Sequence, residues 1–187
     1  MLIVDNILNH DDTFYDTIVL PPILTVKYND MYFDNDKKMV KLSFYTKLKL
    51  AERLQLTDCT IHYNEFNKPY FKKDNLVINF NLSHHDNTII LYYNDNLMVG
   101  IDILNINKVT LSSFYSQYFS KEEQEYCTTK EKFCEIWLLK EAYSKMIGNG
   151  LTEDLKNINL LNYRNYINLN FQFIDINNLK VCLCNKI

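Results

Sequence analysis

Three short segments of this chain hold residue types that handle phosphate and metal. Val99-Gly100-Ile101-Asp102 ends in a carboxylate inside an apolar β pattern. Trp137-Leu138-Leu139-Lys140-Glu141-Ala142-Tyr143-Ser144-Lys145 carries a second carboxylate between two lysines. Phe80-Asn81-Leu82-Ser83-His84 ends in a hydroxyl and an imidazole. A strand Asp and a helical Glu can share one hard divalent cation. Lysines, a serine and a histidine are the side chains that hold the phosphates such a cation neutralises.

Each segment also has a structural reading. On a helix Trp137, Glu141 and Lys145 recur at i, i+4 and i+8 and form one stripe, in which Glu141 to Lys145 is a favourable ion pair and Trp137 a core residue. Asp102 is harder to explain by structure alone, because an unpaired carboxylate in an apolar strand is costly. Gly100 beside it removes a side chain and admits a ligand or another backbone. Ser83-His84 lacks the acid spacing and the GxSxG elbow of a hydrolase, so a phosphate contact or a simple turn explains it better. Lys68-Pro69-Tyr70 places a lysine on a loop stiffened by proline.

Composition narrows the field. Apolar residues are 47% and charged residues 23% of the 187, proportions of a soluble globular protein with a real core. A net charge of −3 argues against a general nucleic-acid binder. The balance is uneven: Lys37, Lys38, Lys41, Lys47, Lys49 and Arg53 face Glu52 alone over residues 37–56. That local positive field suits a phosphorylated ligand, an acidic partner or merely a solvated helix face. The five cysteines are an odd number without CxxC spacing, which fits a reducing compartment rather than a zinc site. The first residues lack a basic leader with a long apolar core, and no apolar run is long enough to cross a bilayer. A cytoplasmic protein, away from membranes, is expected.

The elements that must position these residues follow from periodicity. Residues 41–56 read as a helix, with Leu42, Tyr45, Leu48 and either Ala51 or Glu52 at helical spacing. Residues 76–82, 88–93 and 97–103 read as three strands, with turns at Ser83 to Asn87 and Asn94-Asp95-Asn96, in an antiparallel meander whose last strand delivers Asp102. Ser120 and Glu123 have the form of a capping box. Residues 131–147 read as a long helix stopped by Gly148-Asn149-Gly150. Residues 166–174 and 179–184 read as a hairpin around Asn177-Asn178, with Cys182 and Cys184 on one face. The order predicts an α+β fold of two comparable lobes, residues 1–100 and 101–187.

Together, in order and rough spacing, these features resemble the Sfp-type 4′-phosphopantetheinyl transferases. Members carry a lysine-proline loop, an N-[IL]-S-H segment, an [IV]-G-[IV]-D strand and a W-x-x-K-E-[AS]-x-x-K helix; all four are present between Lys41 and Leu151. The resemblance implies a pseudo-dimer of two α+β lobes with coenzyme A in the cleft between them. It implies transfer of 4′-phosphopantetheine from coenzyme A to a serine of an acyl or peptidyl carrier protein, leaving adenosine 3′,5′-bisphosphate. Asp102 and Glu141 would hold Mg²⁺, and Lys145 would steady the phosphate under attack, with Lys140 as its neighbour. Lys68, Ser83 and His84 would hold the nucleotide phosphates, with His84 at the 3′-phosphate. Lys41, Lys47 or Arg53 are candidates for the same phosphates, with no motif to choose among them. Glu141, or Glu123 of the F-S-x-x-E stretch, would take the serine proton; Glu123 also serves the capping box.

The chain departs from the family pattern at two places. Many members carry a third metal carboxylate two residues after the strand Asp, where this chain has Leu104, so two protein ligands are expected. His85 stands where a small residue is common. A monomer is expected. Two other readings stay open: a non-catalytic carrier-protein or nucleotide-binding module with a degenerate metal site, and a metal-dependent phosphohydrolase.

Overall fold

The computed structural model describes residues 1–94, 97–110 and 113–187. In chain order the elements are β1 (Leu2–Asn6), α1 (Asp12–Asp16), α2 (Pro22–Asn29), α3 (Asp34–Arg53), β2 (Thr60–Tyr63), β3 (Pro69–Lys73), β4 (Leu76–His85), β5 (Thr88–Tyr93), β6 (Val99–Leu104), α4 (Lys121–Tyr126), α5 (Lys130–Ile147), β7 (Leu169–Ile176) and β8 (Leu179–Lys186), with short 3-10 turns between. The mixed α and β content expected from periodicity is present as two antiparallel sheets.

Helix α3 starts seven residues before the expected Lys41. Its first turn is polar, so apolar spacing did not mark it. Asp34 and Asp36 there suit the positive end of the helix dipole. Strand β4 continues through Ser83, His84 and His85, so Ser83 and His84 lie in the strand and not in a turn after it. Its hairpin to β5 turns at Asp86, whose φ is +49°. Strand β5 matches the expected residues 88–93. Of the expected turn at Asn94-Asp95-Asn96, Asp95 and Asn96 lie outside the described residues.

The expected three-strand meander does not form. The first sheet runs β1-β5-β4-β3-β2, and β6 belongs to the second, β6-β8-β7. Both edges of β5 are taken, one by β4 and one by β1, with Leu2 opposite Tyr92. Strand β6 pairs with β8 instead, Asp102 opposite Cys182. It still lies against β4, where the Asn81 side chain accepts the Ile101 N–H at 3.0 Å. A side-chain amide thus takes a backbone donor that a ladder would otherwise satisfy.

Alternation along the strands sorts the core. Leu50, Phe71, Phe80 and Leu91 pack α3 on the first sheet. Ile90 and Tyr92 of β5 meet Ile101, Ile103, Val181 and Leu183 in a core shared by both sheets. Leu104, Cys182 and Cys184 face α5, against Leu139, Ala142 and Met146. The two cysteines share a face as expected, and all five thiols are free. The terminal hairpin forms at Ile176 opposite Leu179, turning on Asn177 at φ +55°.

Candidate active site

Helix α5 is fixed at both ends as the residues dictate. Thr129 caps its start by accepting the Lys132 N–H, and Gly148 ends it in the left-handed region at φ +83°, which glycine adopts without a Cβ penalty. Between the ends, the helix lies on β6 at Gly100. A Cβ added to Gly100 would collide with the Ala142 carbonyl and the Met146 amide. Of the two uses expected for this glycine, the close approach is therefore by a backbone.

That contact sets which side chains reach Asp102. Ala142 and Met146 face the strand, and Glu141 and Lys145 follow about 100° round the helix. The Lys145 ammonium lies 2.6 Å from Asp102 Oδ1 and donates to Ser83 Oγ at 3.1 Å. Ser83 Oγ in turn donates to Asp102 Oδ1 at 3.0 Å. Glu141 Oε2 stands 3.9 Å from the same ammonium. Burial, and then the negative charge of Asp102, push the Glu141 carboxyl up to about 7, against the opposite pull of Lys145. Two carboxylates thus compete for one ammonium in a half-buried setting. Such oxygen donors fit a hard divalent cation, which would relieve their repulsion.

Two residues after Asp102 the chain has an apolar side chain. Leu104 is buried against α5, and among the described residues no group of three or more His, Cys, Asp or Glu side chains is placed to hold an ion. Trp137, first in the stripe, is half-buried and packs its ring 4.4 Å from that of Tyr115.

A cavity of about 600 Å³ is lined by Lys27, Asp36, Lys47, Tyr63, Pro69 and His84 among others. His84 lines this cavity, while Ser83, its neighbour in β4, turns to Asp102, as successive strand residues point to opposite faces. Desolvation, with Lys145, Lys27 and His85 nearby, holds its imidazole below the ordinary value. Among the described residues Lys47 has no hydrogen bond or ion pair, only the Tyr63 ring at 5.9 Å. Burial and Lys27 push its ammonium down to about 8. Its neighbours on α3 are otherwise engaged: Lys38 with Asp12 at 2.5 Å, Lys49 with Asp5 at 3.3 Å and Lys41 with the Tyr15 carbonyl at 2.8 Å. Arg53 is exposed at the end of the helix. Lys27, on α2, was not found from sequence, because a single lysine in a short helix carries no signal. Asn81 was quoted only as part of a motif, and its bond to β6 depends on which sheet β6 joins.

Lys140 and Glu123 do not sit as a phosphate ligand or a base would, and Lys68 spends two of its three donors within the fold. Lys68 donates to the carbonyls of Val99 at 3.0 Å and Met146 at 2.7 Å, tying the start of β6 to the last turn of α5. Burial pushes its ammonium down to about 8. Lys140 is fully buried. It contacts Glu123 Oε2 at 2.7 Å and donates to the carbonyls of Leu155 at 2.8 Å and of Ile158. A lysine has three donors, so none remains for a ligand. Glu123 is fully buried and accepts from the amides of Ser120 and Leu160, each at 2.7 Å. The capping box is present, and these bonds replace the roles expected for Lys140 and Glu123.

A model of the 4′-phosphopantetheinyl transferase superfamily matches residues 98–181. The chain is 34% identical over 94 residues to the 4′-phosphopantetheinyl transferase gsp of Aneurinibacillus migulanus, covering 47% of this chain and 38% of that protein. It is 33% identical over 122 residues to the L-aminoadipate-semialdehyde dehydrogenase-phosphopantetheinyl transferase of Candida glabrata, covering 58% and 47%. A phosphopantetheinyl transferase of Thraustochytrium sp. is 24% identical over 125 residues, covering 57% and 43%. The chain thus spans less than half the length of these relatives. On these matches, residues 98–181 are similar to the superfamily that the sequence motifs resemble, and they hold two of the four motifs, the strand ending at Asp102 and the helix carrying Glu141.

Proposed function

We propose that this protein transfers 4′-phosphopantetheine from coenzyme A to a serine hydroxyl of an acyl or peptidyl carrier protein, releasing adenosine 3′,5′-bisphosphate. The observation that carries this reading is the junction at Asp102, where Glu141, Lys145 and Ser83 converge. In this reading residues 1–100 and 101–187 are two lobes of a pseudo-dimer, and coenzyme A lies in a cleft between them. Asp102 and Glu141 would hold one Mg²⁺, which neutralises charge on the diphosphate when bound. Lys145 leaves Asp102 for the phosphate under attack. Ser83 and His84 hold the nucleotide phosphates, His84 at the 3′-phosphate. Lys47 and Lys27 supply positive charge across the cavity, and Lys47 is the choice among the three basic α3 residues because it alone is buried toward the cavity without an ionic or hydrogen-bonding partner.

Glu141 takes the proton from the carrier serine. Of the two candidate bases it alone is open, 16% exposed, whereas Glu123 is fully buried. No helix among the described residues is long and apolar enough to cross a membrane, and the free thiols fit a reducing cytoplasm. The protein is taken to act as a monomer.

The absence of a third carboxylate among the described residues favours a second reading, a module that binds carrier or nucleotide without turnover. Mass spectrometry separates them. An apo carrier protein incubated with this protein, coenzyme A and Mg²⁺ gains the phosphopantetheine mass under the first reading. No gain across fatty acid, polyketide and peptide carriers, with a folded protein that binds coenzyme A, establishes the second. Release of inorganic phosphate without a carrier would mark a phosphohydrolase.

A further inference from the structure

The Glu123–Lys140 pair lies inside the protein, yet it is adjacent in sequence to Glu141. Both side chains are fully buried. Their partners come from three elements: the first turn of α4 through the Ser120 amide, the middle of α5 through Lys140 itself, and the segment after α5 through the Leu155 and Ile158 carbonyls and the Leu160 amide. Every polar atom of the pair is used. A buried ion pair seldom adds stability over apolar residues of the same size, so stability alone is a weak account of it.

Geometry gives a better account. Successive residues of a helix point about 100° apart. Lys140 is anchored on the segment 155–160, and Ala142 is seated on Gly100 of β6. Glu141 projects between those two anchored directions. The helix can then neither rotate nor slide without breaking the buried bonds on one side or the backbone contact on the other.

We infer that Glu123 and Lys140 are positioning residues that fix the rotation of α5, so that Glu141 and Lys145 meet Asp102. This rests on the transferase reading for its kinetic consequence, and on the structure alone for its mechanical one. The pair touches no substrate. Its loss lowers the rate of the chemical step and leaves coenzyme A affinity in place.

The test uses the full chain with Lys140→Met, Glu123→Gln and Lys140→Arg. Hydrogen exchange of the Leu160 amide and of the α5 amides from Glu141 to Lys145 reads the mechanical claim without any turnover. Lys140→Met and Glu123→Gln are expected to speed exchange at both places, and Lys140→Arg to restore most of the protection. Well below the melting temperature, kcat is expected to fall about tenfold or more in the first two variants, with KM for coenzyme A within twofold and recovery in Lys140→Arg. If Lys140→Met does not fold, Glu123→Gln, which keeps the shape, carries the test. Unchanged protection from Glu141 to Lys145, or full kcat in a variant that merely melts lower, overturns the inference. An inert parent protein with the expected exchange pattern would instead overturn the transferase reading and leave the mechanical claim standing.

Discussion

Asp102→Ala removes the oxygen that Lys145 and Ser83 share and one of the two carboxylates at the junction. Transfer to a carrier is expected to fall by about 100-fold or more, with the melting curve still cooperative; near-parental activity by mass spectrometry would show that Asp102 is not part of the site. Lys47 offers a prediction of opposite sign. Its ammonium is pushed down to about 8, so holding it charged in the free protein costs stability. Lys47→Met is expected to stabilise the ligand-free protein at pH 7 by on the order of 3 kcal/mol and to weaken coenzyme A binding. The gain is full below pH 8 and fades toward pH 10.5, where the lysine of the unfolded chain also loses its proton. Thermal melts across that range, beside calorimetry with coenzyme A, check both halves. At this scale, sequence named Asp102, Glu141, Lys145, Ser83 and His84 as one constellation, and the structure brings the first four together with His84 beside them. It placed Lys140 at a ligand because residue type and a motif say nothing about burial. Its spent donors are visible only once segment 155–160 is folded over it.

At the scale of elements, the contact of α5 on β6 decides the site. Gly100→Ala would drive a methyl into the Ala142 carbonyl and the Met146 amide, neither of which can step aside as a flexible side chain can. A loss of about 3 kcal/mol or more in denaturant melts is expected, with a fall in transfer larger than the unfolded fraction explains. A stable, active variant would show that the helix does not rest on this glycine. The helix itself was plain in the sequence, from its apolar spacing to its Gly148 stop, because those signals are local. The membership of β6 was not, because strand pairing depends on which edges are free. Strand β1, only five residues long, occupies the edge of β5 that a meander needs.

At the scale of the molecule, two antiparallel sheets share a core of β5, β6 and β8 side chains, with α3 and α5 on their outer faces. Composition and element order made the mixed α and β class legible. They gave no register, and so could not show Ser83 of β4 reaching Asp102 of β6 across the two sheets. That reach is what brings Ser83 to the two carboxylates and the ammonium. A crystal grown with coenzyme A and Mn²⁺ in place of Mg²⁺ tests this most directly, through the anomalous signal of the ion. One peak bridging Asp102 and Glu141, with Lys145 turned from Asp102 onto a phosphate, is the result expected. A nucleotide bound with the ion held elsewhere, and Lys145 still paired to Asp102, would contradict it.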